Sequence, residues 1–177
     1  MIEGSMLTGL RTGAVGGIGA RYTTRDDIKS IGLVGTGTQG FYQLQFILRE
    51  RPVKSVYLFN NDPKYYDEFR SKISNDFPEV KFTIAESPKD LVQNADLIIT
   101  ATNSSTPVLP DEPGLFESKH IVAVGSYKPG MQEIPDEAFK VPGEPTGAWA
   151  GILFRSLPGS PTKCSIRFST RLGSASV

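Results

Sequence analysis

Ile31-Gly32-Leu33-Val34-Gly35-Thr36-Gly37-Thr38-Gln39-Gly40 is a short apolar run that ends in a G-x-G-x-x-G turn. The apolar run suits a parallel strand buried on both faces. After the turn, Phe41, Leu44, Ile47 and Leu48 recur at helical spacing, which predicts a helix over 38–51 stopped by Pro52. Alone, the glycine pattern is weak. Between a strand and a helix, at the first βα turn, it specifies a phosphate-binding turn. Gly35 permits the tight turn, Gly37 admits a pyrophosphate close to the backbone, and Gly40 lets the helix pack on the strand. The helix start offers unpaired N–H groups and a partial positive charge to an anion. Gly35, Thr36, Gly37, Thr38 and Gln39 are therefore candidate cofactor-binding residues.

The same alternation continues outward. Residues 55–59 predict a second strand, and Asp62-Pro63 an N-cap with a first-turn proline, opening a helix to about residue 75. Residues 80–84 predict a third strand, Ser87-Pro88 opens a short helix, and 96–101 and 121–125 predict a fourth and a fifth strand. Strands spaced by helices of this length imply right-handed crossovers and an open parallel sheet. The expected class is α/β, a Rossmann-like doubly wound parallel sheet. The preceding stretch, 7–22, is helix-like yet carries Gly9, Gly13, Gly16, Gly17 and Gly19. Such a helix has low intrinsic propensity and must be held by close packing.

A dinucleotide also needs a partner for the adenosine ribose at the end of the second strand, where an acidic residue favours NAD. Here that stretch is Phe59-Asn60-Asn61-Asp62. Asn60 is the candidate contact. It bonds a hydroxyl without repelling a 2′-phosphate, and Lys64 is near, so the sequence leans to NADP over NAD. Asp62 is assigned to the helix cap rather than the ribose. The fourth strand runs into Thr100-Ala101-Thr102-Asn103-Ser104-Ser105, at the edge where ligands of such sheets bind. Thr102 is either a lining residue for the nicotinamide ribose or part of ordinary turn chemistry before Pro107. Val124 and Gly125 are placed alike at the end of the fifth strand.

The 177 residues carry nineteen basic and nineteen acidic side chains, so no basic field recommends a nucleic acid or a membrane surface as partner. Hydrophobic residues at 38% suffice for a core. One cysteine, Cys164, and one histidine, His120, exclude an internal disulfide and a multi-histidine metal centre. No apolar run approaches the roughly 20 residues of a membrane span, and the N-terminus lacks a secretory pattern, so the expected compartment is cytoplasmic. A seam falls near residue 140. Beyond it glycine, proline and serine dominate, which divides the chain into a linking helix (1–28), a dinucleotide-binding domain (29–140) and an irregular tail (141–177). Within the tail the apolar run 149–154 is either an edge strand or part of a flexible segment.

Four stretches carry a resemblance. Leu7-Thr8-Gly9-Leu10-Arg11-Thr12-Gly13-Ala14, the glycine turn followed by Gln39, Thr100 to Ser104 with Pro107-Val108-Leu109, and the segment Val124 to Asp136 together resemble the ornithine cyclodeaminase/μ-crystallin family. The resemblance covers about residues 3–140. It implies a dimeric enzyme that binds NAD or NADP and acts on amino acids or cyclic imino acids. It further implies that Arg11 contacts the substrate carboxylate or the cofactor, with Thr12 beside the phosphates. A guanidinium suits a carboxylate because it binds both oxygens. Where the cyclodeaminases of the family carry a catalytic aspartate, this chain has Tyr127. With an ordinary pKa of about 10, tyrosine is a poor base at neutral pH. An imine or ketimine reductase, such as a pyrroline-2-carboxylate reductase, thus fits better than ornithine cyclodeaminase. Lys128 and Asp136 are the candidate substitutes for the missing acid, with solvated loop charges as the plainer reading. The chain starts where the family's N-terminal substrate domain finishes, and the likeness stops after Lys140. Truncation at both ends is therefore expected, which puts the family homodimer in doubt and leaves a nucleotide-binding module without turnover as an alternative.

Overall fold

The computed structural model describes residues 4–126, 131–139, 150–151 and 167–168. Helix α1 (Gly4–Thr23) leads into β1 (Ser30–Val34), α2 (Thr38–Glu50), β2 (Ser55–Phe59), α3 (Tyr66–Asp76), β3 (Lys81–Ile84), α4 (Pro88–Asn94), β4 (Leu97–Thr100) and β5 (His120–Ala123). Single 3-10 turns stand at Pro63–Tyr65 and Asp136–Phe139. The five strands form one parallel sheet in the order β3-β2-β1-β4-β5. The chain moves outward from β1 to β3, then crosses back to β4 on the other side of β1. A crevice opens at that reversal, beyond the carboxyl ends of the strands.

Alternation along β1 decides which helix covers which face. Ile31 and Leu33 join Leu44, Ile47, Phe69 and Ile73 in one core layer, under α2 and α3. Val34, on the opposite face, joins Leu91, Val92, Ile98 and Phe116, under α4 and the β4–β5 connection. Gly32 also faces α4: a Cβ there would collide with the Leu91 side chain, so the glycine in the apolar run lets the short helix sit low on the sheet.

The expected caps form. Asp62 accepts from the Lys64 amide at 3.2 Å, and Ser87 from the Asp90 amide at 3.1 Å. The third strand starts one residue later than the pattern suggests, because Val80 closes a turn with its amide donating to the Phe77 carbonyl. The glycine-rich helix is continuous, and packing explains it. Gly9, Gly13 and Gly16 lie against Tyr42, Gln43 and Phe46 of α2 closer than a Cβ would allow, and Gly17 lies tightly against Phe46. Arg51, past the end of α2, binds the Arg21 and Thr24 carbonyls, the Thr24 hydroxyl and Asp26, and so ties the two helix ends together. Beyond residue 140, Ala150–Gly151 (β6) and Arg167–Phe168 (β7) pair as a short antiparallel ladder. The rest of 141–177 lies outside the described residues.

Candidate functional site

A cleft of about 980 Å³ lies at the carboxyl ends of β1, β2 and β4, lined by residues 34–39, 59–62 and 101–108 with Tyr65 and Pro88. Its floor is the glycine turn. Gly35 has φ +96°, a left-handed conformation, and a Cβ there would stand 2.5 Å from the Ala101 carbonyl oxygen. Gly40 is pressed against the Gly35 carbonyl. At Gly37 nothing lies within 4 Å of a built Cβ, so this backbone faces open cleft. Gly37 caps α2 without a side-chain bond, and no acidic residue stands in the first turn. The first-turn amides of α2 are thereby left for an outside acceptor, with the helix dipole in its favour. The arrangement fits the diphosphate of a dinucleotide. Only a hydrogen in place of a side chain keeps the space clear.

At the end of β2, Asn60 donates through Nδ2 to the Thr36 hydroxyl at 2.9 Å and to the Asp62 carbonyl at 3.3 Å. Its backbone is clamped by Tyr66, whose hydroxyl accepts from the Asn60 amide at 2.5 Å and donates to the Asn60 carbonyl at 3.0 Å. Asn60 Oδ1 accepts nothing among the described residues and is available to a ribose hydroxyl. Asp62 pairs with Lys64 at 2.7 Å, and that bond holds its carboxyl below the usual carboxylate range. Among the described residues the cleft lining includes no lysine or arginine.

The β4 side is built on a carboxylate that sequence reasoning left out of the candidate set. Glu133 is fully buried. Its oxygens accept from the Thr100 hydroxyl at 3.0 Å, the Thr102 amide at 2.5 Å, the Thr102 hydroxyl at 2.7 Å and the Gly125 amide at 2.6 Å. Its own amide donates to the Ser126 hydroxyl at 3.1 Å, and its carbonyl accepts from Val108 at 2.9 Å. One side chain therefore joins the ends of β4 and β5. Gly125 is required there, since a Cβ would strike the Thr102 carbonyl. The signal available in sequence was an acid beside Ile134-Pro135 and close behind the Gly125-Ser126 strand end, in a run that buries Ile134 as well.

Of the candidates, Gly35, Thr36, Gly37, Thr38, Gln39, Asn60 and Thr102 meet in the cleft. Val124 and Gly125 are buried behind it. Thr12 is half-buried on α1, and its carbonyl accepts from Gln43 Nε2 at 2.8 Å. The fully buried Gln43, a further residue that sequence reading passed over, thus pins α1 to α2. Arg11 is exposed on the side of α1 turned away from the glycine face, with no ion pair among the described residues. Asp136 is exposed at the start of its 3-10 turn, apart from the cleft lining. Tyr127 and Lys128 lie outside the described residues. Among the described residues no cluster of three acidic, histidine or cysteine side chains is disposed to hold a metal, and no helix is long and apolar enough to cross a membrane.

Residues 1–142 match the model of the ornithine cyclodeaminase/mu-crystallin family. A delta(1)-pyrroline-2-carboxylate reductase of Bacillus cereus is 35% identical over 138 residues, which are 78% of this chain and 42% of that enzyme. In structure, the delta(1)-pyrroline-2-carboxylate reductase of Thermococcus litoralis, solved with NADH and L-proline, superposes with a TM-score of 0.71 at 28% identity, over 77% of this chain and 42% of that one. A lysine cyclodeaminase that recognises L-lysine, L-ornithine and L-2,4-diaminobutyric acid superposes with a TM-score of 0.68 at 37% identity, over 75% and 38%. The chain thus spans about two fifths of the length of the relatives it matches.

Proposed function

The chain belongs to the ornithine cyclodeaminase/mu-crystallin family, and on that premise we propose that its cleft holds a nicotinamide dinucleotide for the reduction of a cyclic imino acid. The observation that carries this reading is the open backbone at Gly37 over uncapped helix amides, in a cleft long enough to reach Asn60 at one end and Thr102 at the other. Thr36 to Gln39 hold the diphosphate by backbone N–H groups. Asn60 Oδ1 accepts from the adenosine ribose, its orientation fixed by the bond to Thr36. Thr102 lies on the side of the nicotinamide ribose, held by Glu133. When bound, the reduced nicotinamide supplies the hydride that an imine carbon takes as its nitrogen takes a proton.

NAD is the better fit of the two forms. A 2′-phosphate needs a cation, none lines the cleft among the described residues, and Lys64 is engaged by Asp62. This proposal departs from the lean to NADP that Asn60 and the nearby Lys64 suggest in sequence. Pyrroline-2-carboxylate is the proposed substrate class, on the likeness to two reductases of that compound and on Tyr127, which offers no carboxylate for a cyclodeaminase. Arg11, exposed and with no ion pair among the described residues, is the proposed contact for the substrate carboxylate. Lys128 and Asp136 remain proposed proton carriers.

Titration with NADH, followed by its fluorescence, tests the binding half. Saturable binding is expected, tighter for NADH than for NADPH. Loss of NADH absorbance on addition of pyrroline-2-carboxylate tests the catalytic half. Binding without turnover would leave a dinucleotide module, and no binding would overturn both halves.

A further inference from the structure

Glu133 is 0% exposed, and the four groups that bond its carboxylate among the described residues are neutral donors: the Thr100 and Thr102 hydroxyls and the Thr102 and Gly125 amides. A set made only of donors suits the ionised form, which is acceptor-only. No lysine or arginine pairs with it among the described residues. Among the described residues, a negative charge without a counter-ion therefore sits directly behind Thr102, on the wall of the cleft. The glycine turn takes the diphosphate and Asn60 marks the adenosine side, so the other half of a dinucleotide is directed toward Thr102. An oxidised nicotinamide ring carries a positive charge and a reduced ring carries none.

We propose that Glu133 is a positioning residue whose buried charge also makes the cleft favour the oxidised dinucleotide over the reduced one. The inference rests on the reading that the cleft holds a nicotinamide dinucleotide. With water excluded between them, opposite charges up to about 10 Å apart account for a preference on the order of tenfold. The same field favours the positive charge that grows as a hydride departs, so the device suits a hydride donor site.

The experiment is a pair of calorimetric titrations, with NAD+ and with NADH, on the full wild-type chain, Glu133→Gln and Thr100→Val. The wild type is expected to bind NAD+ about tenfold more tightly than NADH. Glu133→Gln should bring the two constants together. Thr100→Val keeps the charge while removing one donor, and should keep the preference even where stability falls. A wild type that binds NADH as tightly as NAD+ overturns the proposal, as does a Glu133→Gln chain with the ratio unchanged. If Glu133→Gln does not fold, the wild-type and Thr100→Val ratios decide alone. Binding of neither form by the wild type overturns the dinucleotide reading itself, an outcome distinct from equal binding of both.

Discussion

Three glycines share one turn, and each meets a different neighbour. Gly35 holds a left-handed φ beside the Ala101 carbonyl, Gly40 abuts the Gly35 carbonyl, and Gly37 faces empty space. Their substitutions should therefore separate fold from function. A Cβ at Gly37 meets nothing within 4 Å, so Gly37→Val puts its side chain into the space where a diphosphate would lie. It should weaken NADH binding by at least about tenfold, a loss of about 1.4 kcal/mol, while thermal unfolding barely moves. Gly40→Ala forces backbone against backbone and should lower stability by about 2 kcal/mol in urea denaturation. Equal stability of the two variants would contradict this division. The tight turn at Gly35 and the close approach at Gly40 were legible in sequence, because spacing and context alone decide them. Glu133 was not. Its importance comes from Thr100, Thr102 and Gly125 meeting at the ends of two separate strands, and its place in the segment Val124 to Asp136 does not reveal that meeting.

At the scale of elements, α1 shows why propensity misleads. Its glycines looked like a liability, yet four of them form the face that lies on α2. Gly19 is not among them: nothing lies within 4 Å of its built Cβ. Gly19→Ala should thus stabilise the chain by about 0.5–1 kcal/mol, the ordinary gain in a helix interior. Gly13→Ala places a methyl 2.8 Å from the Tyr42 carbonyl oxygen and should destabilise despite the same gain in propensity. Opposite shifts in melting temperature are the expected result, and two upward shifts would show that α1 does not pack this closely. On the edge of the sheet away from the cleft, Asp96 accepts from the Lys29 amide at 2.9 Å, the Ser30 amide at 3.0 Å and the Ser30 hydroxyl at 2.8 Å, joining β1 to the start of β4. Burial opposes its charge, but these bonds and the nearby Lys119 prevail and hold its carboxyl below the ordinary value. A carboxyl depressed in the folded state adds stability above its unfolded pKa, about 3.9, and loses it as pH falls through the folded value. Asp96→Asn should accordingly cost about 1 kcal/mol at pH 7. The difference from wild type should shrink as denaturation is repeated toward pH 3, and a constant difference would deny Asp96 this role.

Over the whole molecule, the strand order β3-β2-β1-β4-β5 does the functional work by placing the ends of β1, β2 and β4 side by side. That order was within reach of the sequence, because alternating strands and helices with right-handed crossovers leave few topologies. The cleft contents were legible only in part. The turn and Asn60 follow from position along the chain, whereas the pairing of Lys64 with Asp62 depends on side-chain geometry. Among the described residues the cleft lining also brings no arginine or lysine to a substrate carboxylate, and Arg11 stands apart from it on α1. Turnover of an imino acid is thus a demand on more than the cleft alone, while dinucleotide binding is a demand on the cleft itself. Amide chemical shifts recorded while NAD+ is added test that second demand most directly. Saturable shifts centred on the amides of Gly37, Thr38 and Gln39, with Asn60 and Thr102 following at the same midpoint, are the predicted result. Shifts that leave residues 35–40 unmoved, or that never saturate, would contradict it.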